Sequence, residues 1–341
     1  MAAVRLKIVD KPDWRKMHSN DTPLLGGLAV YLAFLLSLLL NSVFLPGMKT
    51  ILLGGSLILL MGLMDDIRPI PSSIKFMVQI IISLIVILLG DIRFTFFYHE
   101  PLDPLINIPL TVLWIVGLTN AMNFFDGIDG LATALSIIIA SFLGVISFIT
   151  NQPALGWFSI AMAGSCTGFM PYNFRFGKSA RIFLGDAGST FTGFTLACLA
   201  VLGNWSPTSY FVSFTAPILI FGILIFDMIY VNLSRIKNRL ASNFFELLKC
   251  ANKDHLHHRL IIMGFSHKET VFIISSMSIC LGVSALIIMR QRITEAILGL
   301  GQACMILGLI AVLMLKGREK VPKEGDRRRN MRRKEDRLHL D

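Results

Sequence analysis

Charge is scarce in this sequence. Only 16% of its 341 residues are Asp, Glu, Lys or Arg, where a soluble domain carries about a quarter. That argues against a soluble all-helical protein, whose helices need a polar face. The long apolar runs here, such as 28–40 and 80–89, have none. Cysteine is sparse as well. Cys166, Cys198, Cys250, Cys280 and Cys304 are scattered, with no pair at metal or redox spacing. They read as small apolar residues. No cleavable signal peptide is visible, because 1–23 is polar and basic. There is no internal repeat, and only the tail after Lys316 is compositionally biased.

What the chain has is hydrophobicity: 54% of residues are apolar and the mean hydropathy is +0.67. A bilayer span needs roughly 20 mostly apolar residues. Ten candidate spans follow: 23–45, 48–64, 74–90, 105–119, 131–149, 153–171, 187–203, 209–231, 269–289 and 294–315. The expected fold is an all-α, polytopic integral membrane protein of about ten transmembrane helices. An even number puts both termini on one side. On that side the connections hold 28 of the 32 Lys and Arg residues; only Lys49, Arg93, Arg290 and Arg292 fall on the other. Lys and Arg concentrate in cytoplasmic loops, so both termini are expected in the cytoplasm. The chain then divides into a cytoplasmic segment 1–22, a transmembrane domain 23–315 and a basic, disordered cytoplasmic tail 316–341.

Carboxylates near hydrocarbon are costly and mark function. They occur here, with polar partners, in four groups on the cytoplasmic side, in segments 65–75, 120–130, 172–189 and 232–268. Asp65 and Asp66 close the second span; adjacent carboxylates repel, so one stays protonated or the two share a cation. Lys75 follows and could anchor its helix or hold a phosphate. Asn120, Asn123, Asp126 and Asp129 recur every three residues. On a helix each such step drifts by about 60°, so neighbours share a face but all four do not. They offer hard oxygen ligands for Mg²⁺ or Mn²⁺, or ordinary turn chemistry. Phe183, Gly185, Asp186, Gly188 and Ser189 open the seventh span. Small residues at a helix start leave backbone N–H groups for an anion, or Asp186 serves as an N-cap. His255, His257, His258 and Arg259 fit no zinc pattern but suit a diphosphate, or form a surface cluster. Asp227, near the end of the eighth span, either orients the histidine loop or faces the interface.

In order, the segments DKPDWRKMHSNDTPLLGG, MGLMDDI, NAMNFFDGIDGLA, FLGDAGST and HLHHRL resemble the polyprenyl-phosphate N-acetylhexosamine-1-phosphate transferase family. The resemblance runs from about Val9 to Phe265. It implies that the phosphate of undecaprenyl phosphate attacks the β-phosphorus of a UDP-N-acetylhexosamine, releasing UMP and starting a lipid-linked envelope glycan. It also implies Mg²⁺ (or Mn²⁺) at Asp186 with Asn123 beside it. Asp65 and Asp66 match the acid pair proposed to activate or orient the lipid phosphate. Asp126 and Asp129 match the nucleotide-associated loop. Lys75 matches a basic residue of the site, and His255, His257 and His258 match the cytoplasmic histidine motif. Asn120, Phe183 and Arg259 are expected at the substrate.

HLHHRL resembles the branch that transfers GlcNAc-1-phosphate for teichoic-acid linkage units, O-antigen or related glycans. UDP-GlcNAc is therefore the expected donor, with UDP-MurNAc-pentapeptide the alternative. A secondary transporter would instead place polar groups near the bilayer midplane. The resemblance implies the inner membrane, with substrates and lipid as partners and no nucleic acid; a homodimer is compatible with it. Many relatives carry a further span before the DKP segment. The segment 241–253 matches less well and reads as an interfacial helix or a loop.

Overall fold

Long apolar stretches satisfy their backbone groups internally, which in lipid requires helix. The structure, a computed structural model, describes residues 9–10, 22–42, 46–95, 102–206, 209–238, 254–289 and 293–319, and these are almost entirely helical. In chain order the helices are α1 (Gly26–Asn41), α2 (Pro46–Ile67), α3 (Ser72–Gly90), α4 (Leu102–Phe125), α5 (Leu131–Ile149), α6 (Pro153–Asn173) and α7 (Gly185–Leu202). There follow α8 (Tyr210–Ile220), α9 (Gly222–Lys237), α10 (Leu256–Ile262), α11 (His267–Ile288) and α12 (Ile293–Glu319). One small departure from all-α is an antiparallel pairing of β1 (Val9–Asp10) with β2 (Thr22–Pro23).

Among the described residues, six helices are long and apolar enough to cross a bilayer: α2, α3, α4, α5, α11 and α12. A seventh span is available if α8 and α9, bent by 75° at their junction, act as one. The chain is thus a polytopic membrane protein, but the expected ten spans exceed what length and composition support. α1 has 16 residues and so measures about 24 Å, less than the roughly 30 Å of hydrocarbon. α7 carries Asp186, Ser189, Thr190, Thr192 and Thr195, and every residue but Asp186 and Leu202 is buried. Its solvent is protein, so its composition need not match lipid. α6 is similarly rich in Gly, Ser and Thr.

α7 is the axis of the fold, packed on α1, α2, α4, α5 and α6. The close approach depends on absent side chains. A Cβ on Gly62 would lie 2.4 Å from Ala187 Cα, and one on Gly27 would lie 2.2 Å from Gly188 N. α1 and α2 therefore press directly on the first turn of α7. The N–H groups of Gly26 and Gly27 donate to the carbonyls of Phe183 and Leu184, and Phe183 N–H donates to Pro23 O. This strap holds the segment that precedes α7 against the start of α1.

Several expected loops prove shorter than assigned. α4 runs on to Phe125, so Asn120 and Asn123 are helical and only 126–130 turns. Asp65 and Asp66 lie in the last turn of α2, and Lys75 lies in the first turn of α3. α12 continues through Glu319, into the segment assigned to the tail. The rest of that tail and the expected interfacial helix at 241–253 fall outside the described residues.

Candidate active site

The site is assembled from helix ends. The last turns of α2 and α4 meet the first turns of α3 and α7. Four of the charged or amide side chains singled out from sequence form one connected chain. Lys75 Nζ bridges two carboxylates, at 2.7 Å from Asp65 Oδ2 and 3.0 Å from Asp186 Oδ2. Asn123 Nδ2 donates to Asp186 Oδ1 at 3.1 Å and to Ser189 Oγ at 3.0 Å. Asp65 Oδ1 also accepts from Ile70 N–H at 2.6 Å, which shapes the turn between α2 and α3. The shared cation expected for the acid pair is thus Lys75, and it joins Asp65 to Asp186 rather than to Asp66.

Asp66 faces a different way. Its two oxygens accept from the N–H groups of Asp186 (2.9 Å) and Ala187 (3.2 Å), the first donors of α7. A carboxylate at a helix N-terminus is favourable both as a cap and against the helix dipole. Two readings of this helix start are corrected here. Asp186 is not the N-cap; it lies within the first turn. Two of the backbone donors expected to await a phosphate, those of Asp186 and Ala187, are occupied by Asp66. Gly185 has φ +76°, and a Cβ there would stand 2.7 Å from Asp66 Oδ2. Only glycine combines that backbone with that approach.

The three-residue series splits as helical drift requires. Asn120 turns into the bundle, its Nδ2 donating to Gln79 Oε1 at 2.5 Å and Val116 O at 2.8 Å. Asn123 joins Asp186. Asp126 follows the helix end, where burial pushes its carboxyl well above the usual carboxylate range. The negative charges of Asp186 and Asp66 add to that, and the Gly185 N–H opposes it. Asp129 Oδ2 accepts from Ala180 N–H at 2.9 Å and so fastens the segment between α6 and α7. Phe183 sits in the strap to α1 through its backbone.

The histidines form a third layer. His255 stacks on Phe124, with centroids 4.8 Å apart, and its Nδ1 lies 2.6 Å from Asp227 Oδ2. Asp227 thus orients the histidine segment, one of the two roles expected for it. His257 is fully buried between Phe125 and His258. Its Nε2 abuts the DGID turn, 2.9 Å from where a Cβ on Gly127 would be. Burial holds its ring well below the usual histidine range, and neighbouring His258 and His255 push the same way. Arg259 departs from expectation. The residue is only 3% exposed. Nε donates to Asp254 O at 2.6 Å, another nitrogen donates to Met314 O, and the group lies over the Tyr230 ring. It ties α10 to α12 instead of standing open to a diphosphate.

A hard cation would find suitable donors here. Asp186 presents a carboxylate beside Ser189 Oγ, while Asn123 turns its Nδ2 toward both. A flip of that amide would add its oxygen to the hard-donor set that Mg²⁺ prefers with substrate oxygens and water. The Lys75 ammonium already marks the point as one that draws positive charge. Among the described residues, no three His, Cys, Asp or Glu side chains converge as an all-protein metal cage.

This arrangement coincides with a known family. A model of glycosyl transferase family 4 matches residues 48–204, the stretch that carries Asp65 through Asp186. A probable undecaprenyl-phosphate N-acetylglucosaminyl 1-phosphate transferase of Bacillus subtilis is 32% identical over 85% of this chain and 80% of its own length. The chain belongs to glycosyl transferase family 4. A decaprenyl-phosphate N-acetylglucosaminephosphotransferase of Mycobacterium leprae is 31% identical over 92% of this chain and 85% of its own. An undecaprenyl-phosphate alpha-N-acetylglucosaminyl 1-phosphate transferase of Salmonella typhi is 26% identical, covering 80% and 74%.

Several residues of this family 4 chain escaped the sequence reading. Gln79, buried opposite Asn120, is the lone amide of α3. Asn173, also buried, accepts from Thr133 Oγ1 at 2.8 Å and donates to Ile182 O at 3.1 Å, bracing the segment before α7. Arg235 makes a two-point bond to Asp254, at 2.8 and 2.7 Å. Gln79 could have been noticed as an unexplained polar group in an apolar run. In the sequence Arg235 is simply one of the 28 basic residues on the cytoplasmic side.

Proposed function

We propose that this chain transfers N-acetylglucosamine-1-phosphate from UDP-GlcNAc to undecaprenyl phosphate at the cytoplasmic face of the inner membrane. An oxygen of the lipid phosphate attacks the β-phosphorus of the donor. A new P–O bond forms, the bond to the α-phosphate oxygen breaks, and UMP leaves. The observation that carries this is the Asp65–Lys75–Asp186–Asn123 chain, a charge-alternating cluster built from four helix ends beside the bilayer. The names of the relatives support the lipid phosphate and the sugar.

Phosphoryl transfer asks a protein for alignment and charge neutralisation more than for covalent help. Lys75 draws the lipid phosphate toward Asp65, which orients it and takes its proton. Asp186 and Asn123 would hold Mg²⁺, which when bound neutralises the diphosphate and the leaving UMP. Asp66 acts through α7: by closing its first turn it fixes where Asp186 stands. Asp126, in the turn after α4, meets the nucleotide side of the donor. Asp129 keeps the 174–184 segment over the nucleotide side. His255 and His258 meet the diphosphate, with buried His257 supporting them. The membrane arrangement proposed with this chemistry is ten membrane segments with α8–α9 as one of them, and both termini cytoplasmic. The Lys/Arg distribution supports that arrangement.

The test is UMP release by the purified chain in lipid nanodiscs with undecaprenyl phosphate, Mg²⁺ and a panel of UDP-sugars. UDP-GlcNAc should be used best. Product from UDP-MurNAc-pentapeptide instead would move the chain to another branch, and no release under several metals would sink the enzyme reading. Asp186→Asn should abolish release without loss of folded protein.

A further inference from the structure

We propose that Asp227 is a positioning residue: it fixes the tautomer and orientation of His255 so that the ring presents Nε2 to a phosphate oxygen of the substrates. The inference rests on the transferase reading above and adds to it a residue from α9, outside the carboxylate cluster.

An acid in GILIFDMIYV is an anomaly. Its neighbours Ile223, Leu224 and Val231 are buried, and Asp227 itself is 1% exposed. Burying a carboxylate is costly unless its lone pairs are used. Here both oxygens have partners. Oδ2 lies 2.6 Å from His255 Nδ1, and Oδ1 accepts Leu256 N–H at 2.7 Å. One oxygen therefore sets the backbone where α10 begins, and the other sets the ring just before it. An ionised carboxylate only accepts, so Nδ1 carries a proton. Nε2 then accepts from a P–OH of the substrate when the ring is neutral. It donates to a P–O⁻ when the ring takes a second proton, whose charge the carboxylate offsets. Carboxylates paired with one imidazole nitrogen set the tautomer at the other in this way.

The ring has no freedom to turn away. Its face stacks on Phe124 at 4.8 Å and 28°, and Phe124 is the residue after Asn123 in the last turn of α4. The ring is thus held between α9 and the helix end that also carries Asn123. A second clamp keeps the segment in place, the two-point bond from Arg235 to Asp254 one residue before His255. Both clamps come from α9. Among the described residues, Nε2 of His255 has no partner. A ring pinned on its face and at one nitrogen, with the other nitrogen unengaged, is pre-organised for an oxygen of its substrate.

The test is a mutant cycle on the full chain in nanodiscs with UDP-GlcNAc, undecaprenyl phosphate and Mg²⁺. Asp227→Asn offers an N–H toward Nδ1 and reverses the tautomer. It should lower kcat about 10–100-fold, the range for lost orienting partners, with both KM values and the unfolding midpoint little changed. His255→Gln should lose as much. The double variant should be no worse than His255→Gln alone, because Asp227 has nothing left to position. A purely structural Asp227 would instead lower the midpoint, and its loss would multiply with that of His255→Gln, overturning the inference. So would an Asp227→Asn protein within twofold of wild type. Full activity in His255→Gln would overturn both this inference and the role given to His255, while leaving the transferase intact. A silent wild type would take down the transferase reading beneath it. If Asp227→Asn does not stay monodisperse, Asp227→Glu enters the same cycle, judged by the same non-additivity.

Discussion

Replacing Asp66 with Ala removes both acceptors that close the first turn of α7. The donors are Asp186 N–H at 2.9 Å and Ala187 N–H at 3.2 Å. A hydrogen bond to a charged group contributes about 1.5–3 kcal/mol, and the longer bond belongs at the weak end of that range. Loss of a cap and its dipole interaction, about 0.5–2 kcal/mol, is another measure of the same contacts and is not added. Asp65 and Asp186 repel Asp66, and water entering from the site would satisfy part of what is lost. About 2–3 kcal/mol remains. With an unfolding entropy of about 2.1 cal/mol/K per residue, that corresponds to a midpoint lower by roughly 3–4 °C. Asp65→Asn should behave differently. Lys75 keeps Asp186 at 3.0 Å, and loss of a partly exposed ion pair costs about 0–1 kcal/mol. Thermal unfolding in detergent, followed by the four tryptophans, compares the two. Both variants should lose activity, but only Asp66→Ala should lose stability. Equal midpoints, or a lower one for Asp65→Asn, would refute the division of labour between these neighbours.

Gly185→Ala should cost about 3 kcal/mol or more, from the left-handed backbone at φ +76° and displacement of Asp66; the same unfolding assay reads it. His257→Gln should flatten the acid limb of stability. The buried ring stays neutral while the unfolded one takes a proton below about pH 6.5, so wild type loses up to about 1.4 kcal/mol per pH unit as pH falls. Asp126 slopes the other way, since its raised folded value binds the proton first. The difference between wild type and variant therefore isolates His257, and identical midpoint-versus-pH curves would contradict its burial as a neutral ring. Asp129→Asn should weaken the bond to Ala180 N–H by about 1 kcal/mol. Trypsin should then cut faster at Lys178 and Arg181, with little change in global stability.

Much of this protein follows from local pattern. Apolar runs in a lipid solvent must become helices, and each of the ten expected segments overlaps a helix or the α8–α9 pair. The polar groups at their ends include the four side chains that the structure joins, Asp65, Lys75, Asp186 and Asn123, because charge beside hydrocarbon is too costly to be incidental. The three-residue step of Asn120, Asn123, Asp126 and Asp129 even forecast that they would part company.

What the pattern could not carry was partnership across the chain. Asp65 and Asp66 look equivalent in a sequence. They differ because α7 begins against one of them, about 120 residues later, with Gly62 and Gly185 small enough to permit it. The number of spans has the same cause: α7 is enclosed by helices, so the rule that reads lipid exposure from composition does not apply to it. Arg259 looked like a phosphate ligand until the carbonyl of Met314, from α12, took its guanidinium. Sequence by itself determined which residues are too expensive to be idle. Tertiary structure decided what each is attached to, since pairing is a matter of distance in space and residue type does not encode it.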